Sequence, residues 1–122
     1  MNNYLILISS NHEQEKNLKT AYNKLDEEFI VTAISDQIES VAVGSGKGLY
    51  VNAICSITST LNTDELNLKL KNIETTMGRT SDLKKAGVVP IDLDIVVCNG
   101  VTLREKDAAQ LYYKECLKTL IK

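Results

Sequence analysis

The sequence has little arginine: of 14 basic residues only Arg79 and Arg104 are arginine. It has one histidine (His12), one proline (Pro90), one phenylalanine and no tryptophan. Its three cysteines, Cys55, Cys98 and Cys116, are far apart and form no C-x-x-C pair. A structural zinc site needs four clustered soft ligands, so this set excludes one. An odd number of scattered cysteines among apolar neighbours reads as reduced core thiols, which points to a cytoplasmic protein. No apolar run approaches the roughly 20 residues of a membrane helix. Met1-Asn2-Asn3-Tyr4 does not open like an export signal. Acidic residues number 16, giving a net charge of -2, so the basic excess of a dedicated nucleic-acid binder is missing.

What is present fits one soluble domain spanning residues 1–122, with 43% apolar and 25% charged residues. No linker, repeat or low-complexity block divides it. Tyr4 to Ser9 is a continuous apolar run of strand length, as expected of a strand buried on both faces. Leu18, Ala21, Tyr22 and Leu25 then recur at helical spacing behind acidic Glu13 and Glu15. Phe29 to Ile34 is rich in strand formers and is expected to run on towards Ile38. Val41 to Gly48 holds three of the six glycines and reads as a loop. Leu49 to Thr60 reads as a third strand, with Tyr50, Asn52 and Ile54 on one face and Val51, Ala53 and Cys55 on the other.

Asn62-Thr63-Asp64-Glu65 has the form of a capped helix start. The stripe Leu66, Leu70, Ile73, Met77 follows, and Gly78 can stop the helix. Residues 79–90 read as a polar loop and Ile91 to Val97 as a fourth strand. Asn99-Gly100 is a turn signal. A last helix is expected from near Asp107, with Ala109, Tyr113, Cys116, Leu117 and Leu120 inward. The order β-α-β-β-α-β plus a C-terminal helix predicts an α+β, ferredoxin-like antiparallel sheet with helices on one face and the other face free.

Several residues carry chemical potential. Strand period two puts Asp92 and Asp94 on one face, roughly 7 Å apart, where the like charges need compensation. Mg²⁺ suits such a pair, since it completes its shell with water and phosphate. Two metals there could clamp a phosphoryl group in transfer; a plain solvated strand end is the alternative. Val43 to Gly48 fails as a P-loop, because Val41 stands where the first glycine is needed and Gly48 where Ser or Thr is needed. Asn52, beside Tyr50 on a rigid strand, could read the edge of a heterocycle or simply bond a neighbouring loop. Glu74 and Arg79 flank a helix end, either as a phosphate site or as a surface ion pair.

Six segments together resemble a known family: Ile6-Leu7-Ile8-Ser9-Ser10-Asn11, Val43-Gly44, Tyr50-Val51-Asn52-Ala53, Asp64-Glu65-Leu66, Ile73-Glu74 with Gly78-Arg79, and Ile91-Asp92-Leu93-Asp94-Ile95. Their order and spacing are similar to those of 6-hydroxymethyl-7,8-dihydropterin pyrophosphokinase, over about residues 4 to 98. The resemblance implies ATP- and Mg²⁺-dependent transfer of a pyrophosphoryl group to the pterin in folate biosynthesis. It implies two Mg²⁺ ions on Asp92 and Asp94. It implies a pterin pocket at Asn52, Tyr50, Gly44 and Ser40, the last near a pterin-contacting threonine. Glu74 would line the nucleotide site and Arg79 would match a phosphate-binding arginine.

The chain departs from the family pattern at several places. Val89-Pro90 replaces the Arg-Thr before the aspartate pair, Ala86 replaces a pterin-capping aromatic, and Leu103 to Asp107 lacks the His-Pro motif. The C-terminal portion is expected to be short, with Tyr113 as a weak substitute for a stacking aromatic. Lys84 or Lys85 could supply charge without the bidentate fork of arginine. Two further readings stand beside the enzyme. One is a weak or inactive paralogue that keeps the fold for ligand or protein binding; the other is a plain interaction module using a free sheet face.

Overall fold

A computed structural model of the chain describes residues 1–41 and 48–120. The elements are β1 (Asn2–Ser10), α1 (Gln14–Glu28), β2 (Ile30–Ile34), β3 (Ile38–Val41), β4 (Leu49–Ser59), α2 (Thr63–Thr76), α3 (Ser81–Lys85), β5 (Asp92–Cys98), β6 (Val101–Thr102), α4 (Glu105–Ala108) and α5 (Leu111–Lys118). The strands form one antiparallel sheet ordered β2-β4-β1-β5-β6, with β3 also paired to β4. This is the ferredoxin-like arrangement, with helices as packing layers. No helix of the described residues is long and apolar enough to cross a membrane.

β1 lies at the centre, and its apolar run is continuous because both faces are covered. Tyr4, Ile6 and Ile8 join Ala53, Cys55, Ile57, Leu93 and Ile95 beneath α1 and α2. Leu7 joins Ile54, Val96, Tyr113 and Cys116 on the opposite face, beneath α5. The face expected to be free is therefore partly covered by the C-terminal helix. The two faces of β4 divide as the alternation predicts.

Local chemistry sets the element ends. Asn62 Oδ1 accepts from Glu65 N at 2.9 Å, and Asn62 N donates back to Glu65 Oε1 at 3.0 Å. This capping box opens α2. Gly78, at φ +97°, lies where an L side chain is strained, and the chain leaves the helix there. Asn99 and Gly100 both have positive φ, which turns β5 tightly into β6.

Three further expectations change. The second strand is two strands. Ser35 N donates to Ile54 O at 2.9 Å and its Oγ accepts from Ile54 N at 2.8 Å. Ile34 pairs with Cys55 and Ile38 with Asn52, so the edge carries one more residue than β4 across this break. The 79–90 loop contains α3, capped by Thr80 Oγ1, which accepts from Leu83 N. The last helix is broken at Gln110, whose backbone is extended. The break resets the helical phase, so Tyr113 and Cys116 are buried while Ala109 and Leu117 face outward.

Candidate active site

β-pairing brings the predicted polar residues together on the far face of the sheet, past the end of α5. Ser9 of β1 stands opposite both Asn52 of β4 and Asp92 of β5, and Tyr50 stands opposite Ser40 of β3. Asp94, two residues on, shares the face of Asp92. Ser9, Ser40, Tyr50, Asn52, Asp92 and Asp94 line one cavity of about 600 Å³, closed on its other side by residues 103–107, Gln110 and Tyr112. Gly44 and its neighbours lie outside the described residues.

Asn52 is almost wholly buried and bonded on every side. Ser9 Oγ donates to its Oδ1 at 2.7 Å. Its Nδ2 donates to Ile38 O at 3.0 Å and to Ser40 Oγ at 2.9 Å. The amide thus ties three strands together at the junction where the edge strand is broken.

A charge network surrounds the aspartates. Arg79 Nη1 donates to Asp92 Oδ1 at 2.9 Å, lies 3.1 Å from Glu74 Oε1 and reaches Ile91 O at 3.3 Å. Glu74 is buried on the strand side of α2. It accepts from Leu93 N at 2.7 Å and from Lys71 Nζ at 3.0 Å. Lys71 also donates to Leu93 O and lies 3.6 Å from Asp94. Arg104 comes from the opposite wall: its Nη1 is 3.8 Å from Asp94 and its Nε is bonded to Asp107.

The two aspartates titrate apart. Burial raises Asp94, the Asp92 charge adds to it, and the carboxyl is pushed up to about 7. Burial would also raise Asp92, but its hydrogen bond to Asp94 and the Arg79 guanidinium outweigh this and hold it below the ordinary carboxylate value. One proton is therefore shared across the pair near neutral pH. Burial, and then the Asp92 charge, also raises the Tyr50 phenol.

Among the described residues no group of three or more His, Cys, Asp and Glu side chains could hold a metal. The donor set is the aspartate pair, which fits Mg²⁺, a cation that takes one or two carboxylates and keeps water and phosphate for the rest. A second, basic cleft of about 430 Å³ adjoins the network, lined by Lys71, Glu74, Thr75, Arg79, Thr80, Ser81 and Lys84.

The family model for 7,8-dihydro-6-hydroxymethylpterin-pyrophosphokinase matches residues 4–118. The chain belongs to this family. No curated protein matches it. The pyrophosphokinase match runs past residue 98 and takes in the segment carrying Arg104 and Tyr112. Sequence reasoning missed several residues that the fold brings to this cluster. Lys71 had a visible signal, its i,i+3 spacing to Glu74. Arg104 and Asp107 had none, since only the β5–β6 hairpin brings them to the aspartates; Ser9 lay in a quoted segment but was given no role.

The 79–90 segment is pinned rather than loose at its end. Asn11 Nδ2 donates to Gly87 O at 2.8 Å, its Oδ1 accepts from Val89 N at 2.6 Å, and its own N–H donates to Val89 O at 3.0 Å. Val89, where the family pattern has arginine, is buried and brings no charge to the site.

Proposed function

We propose that the chain transfers a pyrophosphoryl group from ATP to 6-hydroxymethyl-7,8-dihydropterin, with Mg²⁺ held by Asp92 and Asp94. The observation that carries this reading is the position of the aspartate pair. Asp92 and Asp94 border the cavity beside Ser40, Tyr50 and Asn52, while Asp92 is bonded to Arg79 of the basic cleft. A heterocycle can occupy the first space and phosphates the second, with the carboxylates between them. Family membership supports the same transfer.

In this reading the pterin hydroxymethyl oxygen bonds to the β-phosphorus of ATP, the bond to the α-phosphate oxygen breaks, and AMP leaves. Bound divalent cations supply charge neutralisation for the phosphates. The chain itself supplies position. Arg79 and Lys71 face phosphate oxygens, and Glu74 sets both by holding them against β5. Asn52 meets the pterin edge by exchanging its bond to Ser40 Oγ, the half-exposed partner, while Ser9 and Ile38 keep the amide oriented. Tyr50 lines the pocket wall. Three free cysteines among the described residues support a cytoplasmic setting.

Calorimetric titration with Mg²⁺, a non-hydrolysable ATP analogue and the pterin tests the reading, followed by an assay for AMP. Both ligands should bind, and Asp92→Asn or Asp94→Asn should abolish Mg²⁺-dependent nucleotide binding. Unchanged nucleotide binding in both variants would remove the metal assignment. The charge lost at Val89 favours a second reading, a paralogue that binds both ligands without turnover. Binding without AMP release would decide for it.

A further inference from the structure

We propose that Ser9 is a specificity-determining residue of this site: its hydroxyl oxygen accepts from the ring N–H of a lactam whose carbonyl oxygen meets the Asn52 amide. The inference deepens the pterin reading above, on which it rests for the place of the ring. Its ground is the order of donors and acceptors on the cavity floor. Ser9 stands on the central strand β1, opposite Asn52 of β4 on one side and Asp92 of β5 on the other. It is 7% exposed and lines the cavity beside Ser40 and Asn52.

That order cannot be reversed. A backbone carbonyl only accepts, so Ile38 O, 3.0 Å from Asn52 Nδ2, fixes the amide nitrogen towards β3. The amide oxygen then faces Ser9 Oγ at 2.7 Å. It carries no proton, so the Ser9 hydroxyl must donate its own. Asn52 is the one hydrogen-bond partner of Ser9 Oγ among the described residues. The serine oxygen therefore offers the cavity lone pairs and no proton. The second amide proton of Asn52 goes to Ser40 Oγ at 2.9 Å, and the ligand carbonyl takes that oxygen's place. Asn52 N–H and Ser9 Oγ then form a donor and an acceptor side by side. They complement the C=O and N–H of a lactam. A buried acceptor left without a donor is costly, so a ring that brings no N–H to Ser9 is disfavoured.

Calorimetry on the full chain and its S9A and S9C variants provides the test. The probes are the pterin, its 3-deaza analogue with C–H in place of the ring N–H, 9-methylguanine, which has the same amino-lactam edge, and Mg²⁺ alone. The wild type should bind the pterin roughly 10- to 100-fold more tightly than the deaza analogue. In S9A that preference should shrink to within about threefold. S9A also uncaps the Asn52 oxygen and should lower the thermal midpoint, but this acts on both ligands alike, so their ratio is the readout. S9C keeps nearly the same shape with a weak acceptor and should shrink the ratio too. An unchanged ratio in both variants would overturn the proposal and leave the transfer reading standing. Loss of Mg²⁺ affinity in S9A with the ratio intact would place Ser9 in the water shell of the metal and also overturn it. If 9-methylguanine binds in a Ser9-dependent way and the pterin does not bind, the proposal stands and the transfer reading falls. If neither lactam binds, both fall.

Discussion

Replacing Asp94 by asparagine should make the metal-free protein more stable, and the gain should depend on pH in a defined way. Asp94 is 13% exposed and shares its face with Asp92, and its carboxyl is raised from 3.8 to about 7. The unfolded chain ionises at the lower value, so between pH 4 and 7 the folded state holds a proton that unfolding releases. Stability then falls as pH rises through that window, and the full cost of the buried charge persists above about pH 7. Three pH units set a ceiling of about 4 kcal/mol. Asparagine keeps the shape and removes the charge, but it gives up the contacts to Lys71 and Arg104 at 3.6 and 3.8 Å. These half-exposed pairs are worth about 0–1 kcal/mol each. A net gain of about 2 kcal/mol at pH 8 follows, or on the order of 5–10 °C in midpoint. Thermal melts of both proteins in a chelator, from pH 4 to 8.5, provide the measurement. The difference should grow to about pH 7 and then stay level. A variant less stable than wild type at pH 8, or a difference independent of pH, would refute the reasoning.

Other residues give sharper local tests. The Tyr113 hydroxyl is buried and finds no hydrogen-bond partner among the described residues. Tyr113→Phe should therefore be neutral or raise stability by up to about 1–3 kcal/mol in denaturant melts; a clear loss would reveal a partner. Glu74 is buried and meets three donors, so Glu74→Gln turns an NH₂ towards at least one of them. It should cost about 3–5 kcal/mol in urea unfolding, and a cost under 1 kcal/mol would refute the stabilising role of this buried carboxylate. Asn62→Ala removes the α2 capping box and should cost about 1 kcal/mol by the same measurement.

Much of the fold was legible because its signals are local. The unbroken apolar run of β1, the period-two pattern of β4 and the Asn62–Glu65 box each specify their element without help. The break between β2 and β3 was not legible, since it depends on Ser35 bonding Ile54 across the sheet. The placement of α5 was hidden for the same reason: Tyr113 and Cys116 show an inward stripe but not which face receives it. At the site, strand spacing foretold that Asp92 and Asp94 share a face, and Asn52 and Tyr50 were rightly put on one face of β4. The internal saturation of Asn52 was not foretold, because its partners Ser9 and Ser40 come from other strands. Arg104 reaches Asp94 only through the reversal at Asn99-Gly100.

The central place of β1 has a consequence for how the chain is made. β1 leaves the ribosome before both of its neighbours in the sheet, β4 and β5, which end at Ser59 and Cys98. At ordinary rates of synthesis its second edge waits on the order of 5–20 s for a partner. Until β5 docks, the apolar strand keeps at least one open side, the condition that favours pairing with another chain. The non-local pairing also makes completion of the sheet a late event. The site is assembled with it, because Ser9, Asn52 and Asp92 meet only when β5 docks.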